Sequence, residues 1–126
     1  MIDVVARIAS GVADFDRTQW DACAGQNNPF ISWDFLVALE RSGSVGEGSG
    51  WQPLPIVIDG PDGQIAAAAP AYGKSHSQGE YVFDHGWAEA WERAGGQYYP
   101  KIQIAAPFSP CPVPGCCCAT RLWRPH

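Results

Sequence analysis

Residues 51–76 read WQPLPIVIDGPDGQIAAAAPAYGKSH, two strand-forming apolar runs on either side of GPDGQ. Two glycines, a proline and an aspartate within a short link reverse a chain tightly. The stretch therefore reads as an antiparallel hairpin, WQPLPIVID (51–59) against IAAAAPAYGKSH (65–76). A hairpin fixes two neighbouring strands and demands an apolar layer over one face, so it restricts the possible folds strongly. Prolines qualify it. Pro53 and Pro55 sit near the start of the first strand, and Pro70 predicts a bulge or an edge in the second, because proline has no N–H for a ladder.

The flanking segments supply more strands and the covering layer. VVARIA (4–9) is short and β-branched, a strand. DFDRTQWDACAG (14–25) reads as a short helix capped by Asp14 or Asp16, with Trp20 and Cys23 or Ala24 on one face. QNNPF (26–30) has turn chemistry. SWDFLVALERSG (32–43) is the clearest helix, with Ser32 as N-cap, Phe35, Leu36 and Leu39 as its apolar stripe, and Gly43 as a left-handed stop. SGSVGEGSG (42–50) is a loop. Its glycines do not form G-x-G-x-x-G, and neither a strand before it nor a helix after it would make a phosphate cradle. DHGWAEAWERAGG (84–96) is a second good helix with Trp87, Ala90, Trp91 and Ala94 at helical spacing, and YYPKIQIAAPF (98–108) is a last strand. The order strand, helix, helix, strand, strand, helix, strand predicts an α/β fold, a mixed sheet with helices packed on it.

A chain of 126 residues suits one domain, and 46% hydrophobic against 17% charged residues predicts a globular one. No apolar run reaches the ~20 residues of a membrane span, and MIDVVARIAS lacks a signal-peptide core, so a cytoplasmic protein is expected. Net charge is −5, and residues 1–110 hold 13 acids against six bases. Without clustered lysine and arginine, the chain alone is a poor candidate for binding nucleic acid or an anionic membrane.

Several side chains could carry chemistry. Glu80, Asp84, Glu89 and Glu92 are available carboxylates, and His76 and His85 could also move protons. Helical spacing assigns Glu89 and Glu92 to a wet face, Asp84 to a cap and His76 to an exposed strand end. Asp84 and His85 remain candidates for substrate contact. So do Tyr98, Tyr99 and Lys101, which precede the last strand; the plainer reading is two tyrosines covering a sheet edge beside a solvated lysine. Six tryptophans invite a carbohydrate-stacking role, but Trp20, Trp33, Trp87 and Trp91 lie at apolar helical spacing and predict core packing. Cys23 reads as a small buried apolar residue.

DHGWAEAWERAGGQYYPKIQIAAPFSP (84–110), with PAYGKSHSQGEYVF (70–83) and NPFISWDFLVALERSGSV (28–45), resembles the FemAB-like branch of the GNAT-type acyl-CoA N-acyltransferases, the peptidoglycan biosynthesis and recognition proteins. The resemblance covers nearly all of residues 3–110. It implies a GNAT-like fold and transfer of an acyl or aminoacyl group, from acyl-CoA or an aminoacyl-tRNA, onto a small-molecule or peptidoglycan-precursor amine. It also implies a longer protein with a second GNAT-like half. In GNAT enzymes a Q/R-x-x-G-x-G/A loop after the central strand holds the CoA pyrophosphate on backbone N–H groups. Here SPCPVPGCCCATRLWRPH follows that strand, so no cofactor is expected to bind this chain by itself.

The chain thus divides into residues 1–110, the N-terminal part of an incomplete GNAT-like sheet, and residues 111–126, an aberrant tail. Cys111, Cys116, Cys117, Cys118 and His126 offer soft ligands, but three consecutive cysteines converge poorly on one zinc ion, and no metal is expected. Exposed thiols could act as a redox or lipid hook, yet no neighbouring group tunes them. The favoured reading is a frameshift: CTG repeats spell leucines, and the same DNA shifted by one base, TGC, spells cysteines. The alternative function is a non-catalytic binding or metal-binding module that uses the tail. A sheet that stops at its central strand leaves an apolar edge and face uncovered, so self-association is expected.

Overall fold

The computed structural model describes residues 4–80 and 83–109, and the backbone of 117–118. Three helices and seven strands form: β1 (Ala6–Ile8), α1 (Arg17–Ala24), α2 (Trp33–Ser42), β2 (Trp51–Pro53), β3 (Ile56–Asp59), β4 (Ile65–Ala69), β5 (Ala71–Lys74), α3 (His85–Arg93), β6 (Lys101–Ile104) and β7 (Cys117–Cys118). The α/β class and the order of elements match the sequence expectation. All described strand pairings are antiparallel, in two sheets ordered β1-β3-β4-β7 and β2-β5-β6.

The hairpin is present, but each of its two expected strands is broken into two. Its outer half, β3 with β4, belongs to the first sheet, and its inner half, β2 with β5, belongs to the second. The breaks fall at Pro55 and Pro70, both fully buried. Neither can donate to a ladder, but each carbonyl still accepts, from Ala9 N–H (3.1 Å) and Ala105 N–H (3.2 Å) respectively. The prolines thus mark where the hairpin passes from one sheet into the other, more than the bulge or edge that Pro70 predicts.

The helices are built as their sequences dictate. Asp16 caps α1, its side chain accepting from Gln19 N–H, and Ser32 caps α2 by accepting from Phe35 N–H. Gly43 ends α2 in the left-handed region, at φ 77°. Both helices cover β3 and β4, burying Trp20, Cys23, Leu36 and Val37 against Val57, Ile65 and Ala68. The two indoles are also tied by their N–H groups, Trp20 to Ile31 O (3.0 Å) and Trp33 to Phe15 O (2.9 Å). The second sheet has a smaller core of Val45, Trp51 and Tyr72, with Leu39 packed against it.

The expectation for α3 fails in one respect. Trp87 is 76% and Trp91 57% exposed, and only Ala88 of this helix is buried. Helical spacing correctly places the tryptophans on one face; it carries no information on whether anything lies against that face. Gly96 instead lies under the Trp91 indole, where an added Cβ would come within 2.1 Å of Nε1. Cys111, Cys116, Arg121, Arg124 and His126 of the tail lie outside the described residues. The backbone of β7 pairs with β4, Cys118 facing Ala67 and Cys117 facing Ala68.

Candidate functional site

The second sheet aligns a row of side chains across its three strands. Trp51 on β2 is opposite Lys74 on β5, and Lys74 is opposite Lys101 on β6. Directly opposed residues project to the same face of a sheet. Lys74 is fully buried, its Nζ 3.3 Å from the centre of the Trp51 ring. It donates to Gln78 O (2.8 Å) and lies 3.6 Å from Glu80 Oε1. Burial pushes the Lys74 ammonium down to about 8, with the Glu80 charge working against that fall and Lys101 adding to it.

Lys101 is the hub. Its Nζ lies 3.0 Å from Ser77 Oγ, 3.0 Å from each Glu80 oxygen and 2.5 Å from Asp84 Oδ2. Asp84 accepts two further hydrogen bonds, from Ser77 Oγ–H to Oδ1 and from Tyr98 O–H to Oδ2, both 2.5 Å. Ser77 Oγ also lies 2.5 Å from the Tyr99 hydroxyl, and the two tyrosine rings meet edge to face. Burial disfavours the charged carboxylate of Asp84, yet the bonds from Lys101, Ser77 and Tyr98 outweigh it and hold the group well below the usual range. For Lys101, burial pulls down, and the hydrogen bonds and charges of Asp84 and Glu80 leave it raised. The Tyr98 hydroxyl is raised, chiefly because its proton is held on Asp84.

Two lysines and two carboxylates therefore balance in one cluster. Lys74 and Glu80 form its closed floor, and Asp84 and Lys101, with side chains 19% and 16% exposed, form its open rim. Asp84 stands at the N-cap position of α3, but its side chain makes no capping bond; it turns to the cluster instead. Lys101 is likewise engaged, not solvated.

Of the residues singled out from sequence, Asp84, Tyr98, Tyr99 and Lys101 come together. His85 does not; it is exposed, with its ring stacked on Phe83. Glu89 and Glu92 are exposed, and Glu89 pairs with Arg93 at 3.3 Å. His76 is half-buried and fixed in place, not an exposed strand end. Its Nδ1 accepts from Gln78 N–H (3.1 Å), which leaves Nε2–H to donate to Ser49 O (3.1 Å). Gly50, at φ 77°, makes room for that ring: a Cβ there would lie 2.0 Å from Nε2.

Sequence reading missed Lys74 and Ser77 and left Glu80 in a general list of carboxylates. The signal for Lys74 lay in the strand alternation, which sets Tyr72 and Lys74 on one face of β5. No local pattern marked Ser77. A groove along α1 and the 25–32 segment, about 680 Å³ and lined by residues including Arg17, Asp21, Asn28 and Ser32, lies among residues other than those of the cluster. Arg17 is already paired there with Asp34 at 2.6 Å, so the groove offers no unsatisfied charge from that arginine.

An α/β chain with a buffered polar cluster at the edge of its second sheet defines a class of architecture, and comparison supplies the family. The model of the FemAB-like family, described as peptidoglycan biosynthesis/recognition, matches residues 11–121. The chain belongs to that family. No curated protein and no solved structure matches it. Among the described residues no helix is long and apolar enough to cross a membrane.

Proposed function

We propose that this chain is the N-terminal part of a FemAB-like N-acyltransferase acting in the cytoplasm on a peptidoglycan precursor or a related small amine. The parent reaction is attack of the amine on the carbonyl of an acyl-CoA or aminoacyl-tRNA, with an amide formed and the thiol or tRNA hydroxyl released. The family match over residues 11–121 carries the reading. The Asp84–Lys101 rim sharpens it. A carboxylate held so far below its usual range stays charged near neutral pH and accepts hydrogen bonds from an incoming ammonium. For the same reason it is a poor base. The cluster therefore binds and orients the acceptor, with Tyr98 and Tyr99 beside it, and the proton leaves to a group elsewhere in the parent enzyme. CoA chemistry requires a pyrophosphate loop that the sequence after β6 does not carry, whereas the family match runs on to residue 121 and β7 pairs with β4, so the reading frame of the tail is the point to test.

Two experiments test this reading. The first is sequencing of the coding DNA from codon 105 past the stop. A second frame that continues with a leucine-rich strand and a Q/R-x-x-G-x-G/A loop is expected, and its absence overturns the parent-enzyme reading. The second is titration of the intact chain with methylammonium, followed by NMR. Shifts centred on Asp84, Tyr98 and Tyr99, lost in Asp84→Asn, are expected; an unperturbed rim rejects the acceptor role.

A further inference from the structure

The hydrogen-bonding direction of β6 can be read from two bonds. Ala105 N–H donates to Pro70 O (3.2 Å), one step beyond the pair Ala71 with Ile104, and Leu54 N–H donates to Ala71 O (2.8 Å) across the β2–β5 pair. In an antiparallel ladder alternate residues turn their N–H and C=O groups to opposite sides. Lys101 and Gln103 therefore face β5, and Ile102 and Ile104 turn their backbone groups outward. Strand β6 is the last of its sheet among the described residues, so those outward groups have no strand partner there. The side chains of the same two residues are 64% and 41% exposed.

We propose that two copies of this chain pair through β6, antiparallel, with Ile102 of one copy opposite Ile104 of the other and Gln103 on the two-fold axis. The strand is self-complementary in that register. Two outward N–H and two outward C=O groups on each copy meet their counterparts, giving four interchain hydrogen bonds. The isoleucines meet as β-branched cross-strand pairs on one face. Charge fits as well: Lys101 falls opposite Ala105 of the other copy, whereas parallel pairing in register would set Lys101 against Lys101. Pro100, without an N–H, ends the pairing window and disfavours a slipped register. The product is one six-stranded sheet, β2-β5-β6 continued by the same three strands of the second copy.

Area sets the strength. The two exposures add up to about one whole isoleucine per copy, far below the ~800 Å² per partner of a stable interface, so the dimer forms only at high concentration. This inference does not use the acceptor role of the Asp84–Lys101 rim, but it concerns the chain as it stands: in the longer parent of the proposed function, a further strand of the same sheet takes the place of the second copy on β6.

The test is sedimentation velocity of the intact chain from micromolar to near-millimolar concentration, with amide hydrogen exchange on the same samples. The expected result is a mass rising from 13.6 kDa towards twice that value, with exchange at Ile102 and Ile104 slowing at least ~10-fold over the series. Ile102→Lys, at an exposed position, is expected to stay folded by circular dichroism and to remain monomeric throughout. A constant monomer mass overturns the proposal, as does free exchange at both amides in the dimer. A dimer that survives Ile102→Lys but is lost in a Trp87→Ser, Trp91→Ser double variant also overturns it, by placing the interface on α3.

Discussion

Glu80 links the two lysines, and its removal separates their roles. Lys74 is already held down to about 8 by burial, and the Glu80 charge is what opposes that fall. Glu80→Gln is expected to move the Lys74 midpoint below about 8, measured from the lysine side-chain carbon shift. It also leaves a buried ammonium less compensated, at a cost of about 3–5 kcal/mol. Because the folded state binds this proton less firmly than the unfolded chain, the Lys74 contribution rises with pH, from about 8 towards the ordinary lysine value. In Glu80→Gln that rise begins at lower pH. Asp84 has the opposite sign. Its lowered carboxyl stabilises the fold above its unfolded value of ~3.9, and that stability is lost as pH falls through the folded value. Asp84→Asn is therefore expected to flatten the acid limb of a urea-unfolding series and to cost about 1–3 kcal/mol at neutral pH, from lost hydrogen bonds at a partly exposed site. Residue types pointed to this cluster only in part. Tyr98, Tyr99 and Lys101 stand out as polar groups at the start of an apolar strand, and Asp84 as a carboxylate at the start of a helix. Lys74 and Ser77 join them through strand register and a loop path, which are distances through space that one-dimensional spacing does not contain.

At the scale of elements, the capped pieces were the legible ones. α2 begins and ends where Ser32 and Gly43 place it, because capping is a local interaction of a few neighbouring residues. Ser32→Ala is expected to lower stability by about 1 kcal/mol in a denaturant titration. The hairpin was legible as a hairpin, but its division between two sheets was not. That division depends on which third strand each half finds, β1 beside β3 and β6 beside β5, and those partners are distant in sequence. α3 makes the sharper test. If its stripe were core, Trp87→Ser would cost about 3–5 kcal/mol, as aromatic deletions in cores do. With the indole 76% exposed, the expected change is within ~0.5 kcal/mol, the range for surface sites. A thermal or urea midpoint distinguishes the two values.

For the whole molecule, the two sheets are unequally held. The first lies under α1 and α2, and its core joins ten buried residues from four elements and the segments between them. The second is packed by Val45, Trp51 and Tyr72 and by an ion cluster whose charges were desolvated to form it. Buried ion pairs contribute less net stability than the same volume of apolar packing, because desolvation offsets much of the attraction. One further face of the second sheet, at Ile102 and Ile104, is open. Stability should therefore grade across the molecule even though the hairpin runs through both halves. Native-state hydrogen exchange at low protein concentration is expected to give the highest opening free energies at Val57, Ala68 and Leu36. Lower values are expected at Gly73, Gln103 and Ala88, with β6 and α3 opening while the first sheet stays closed. Leu36→Ala, at a fully buried position, is expected to cost about 3 kcal/mol and to lower all of these values together. Asp84→Asn should lower only the second set. Equal opening energies across both sheets would instead mean that the bent hairpin couples them into one cooperative unit.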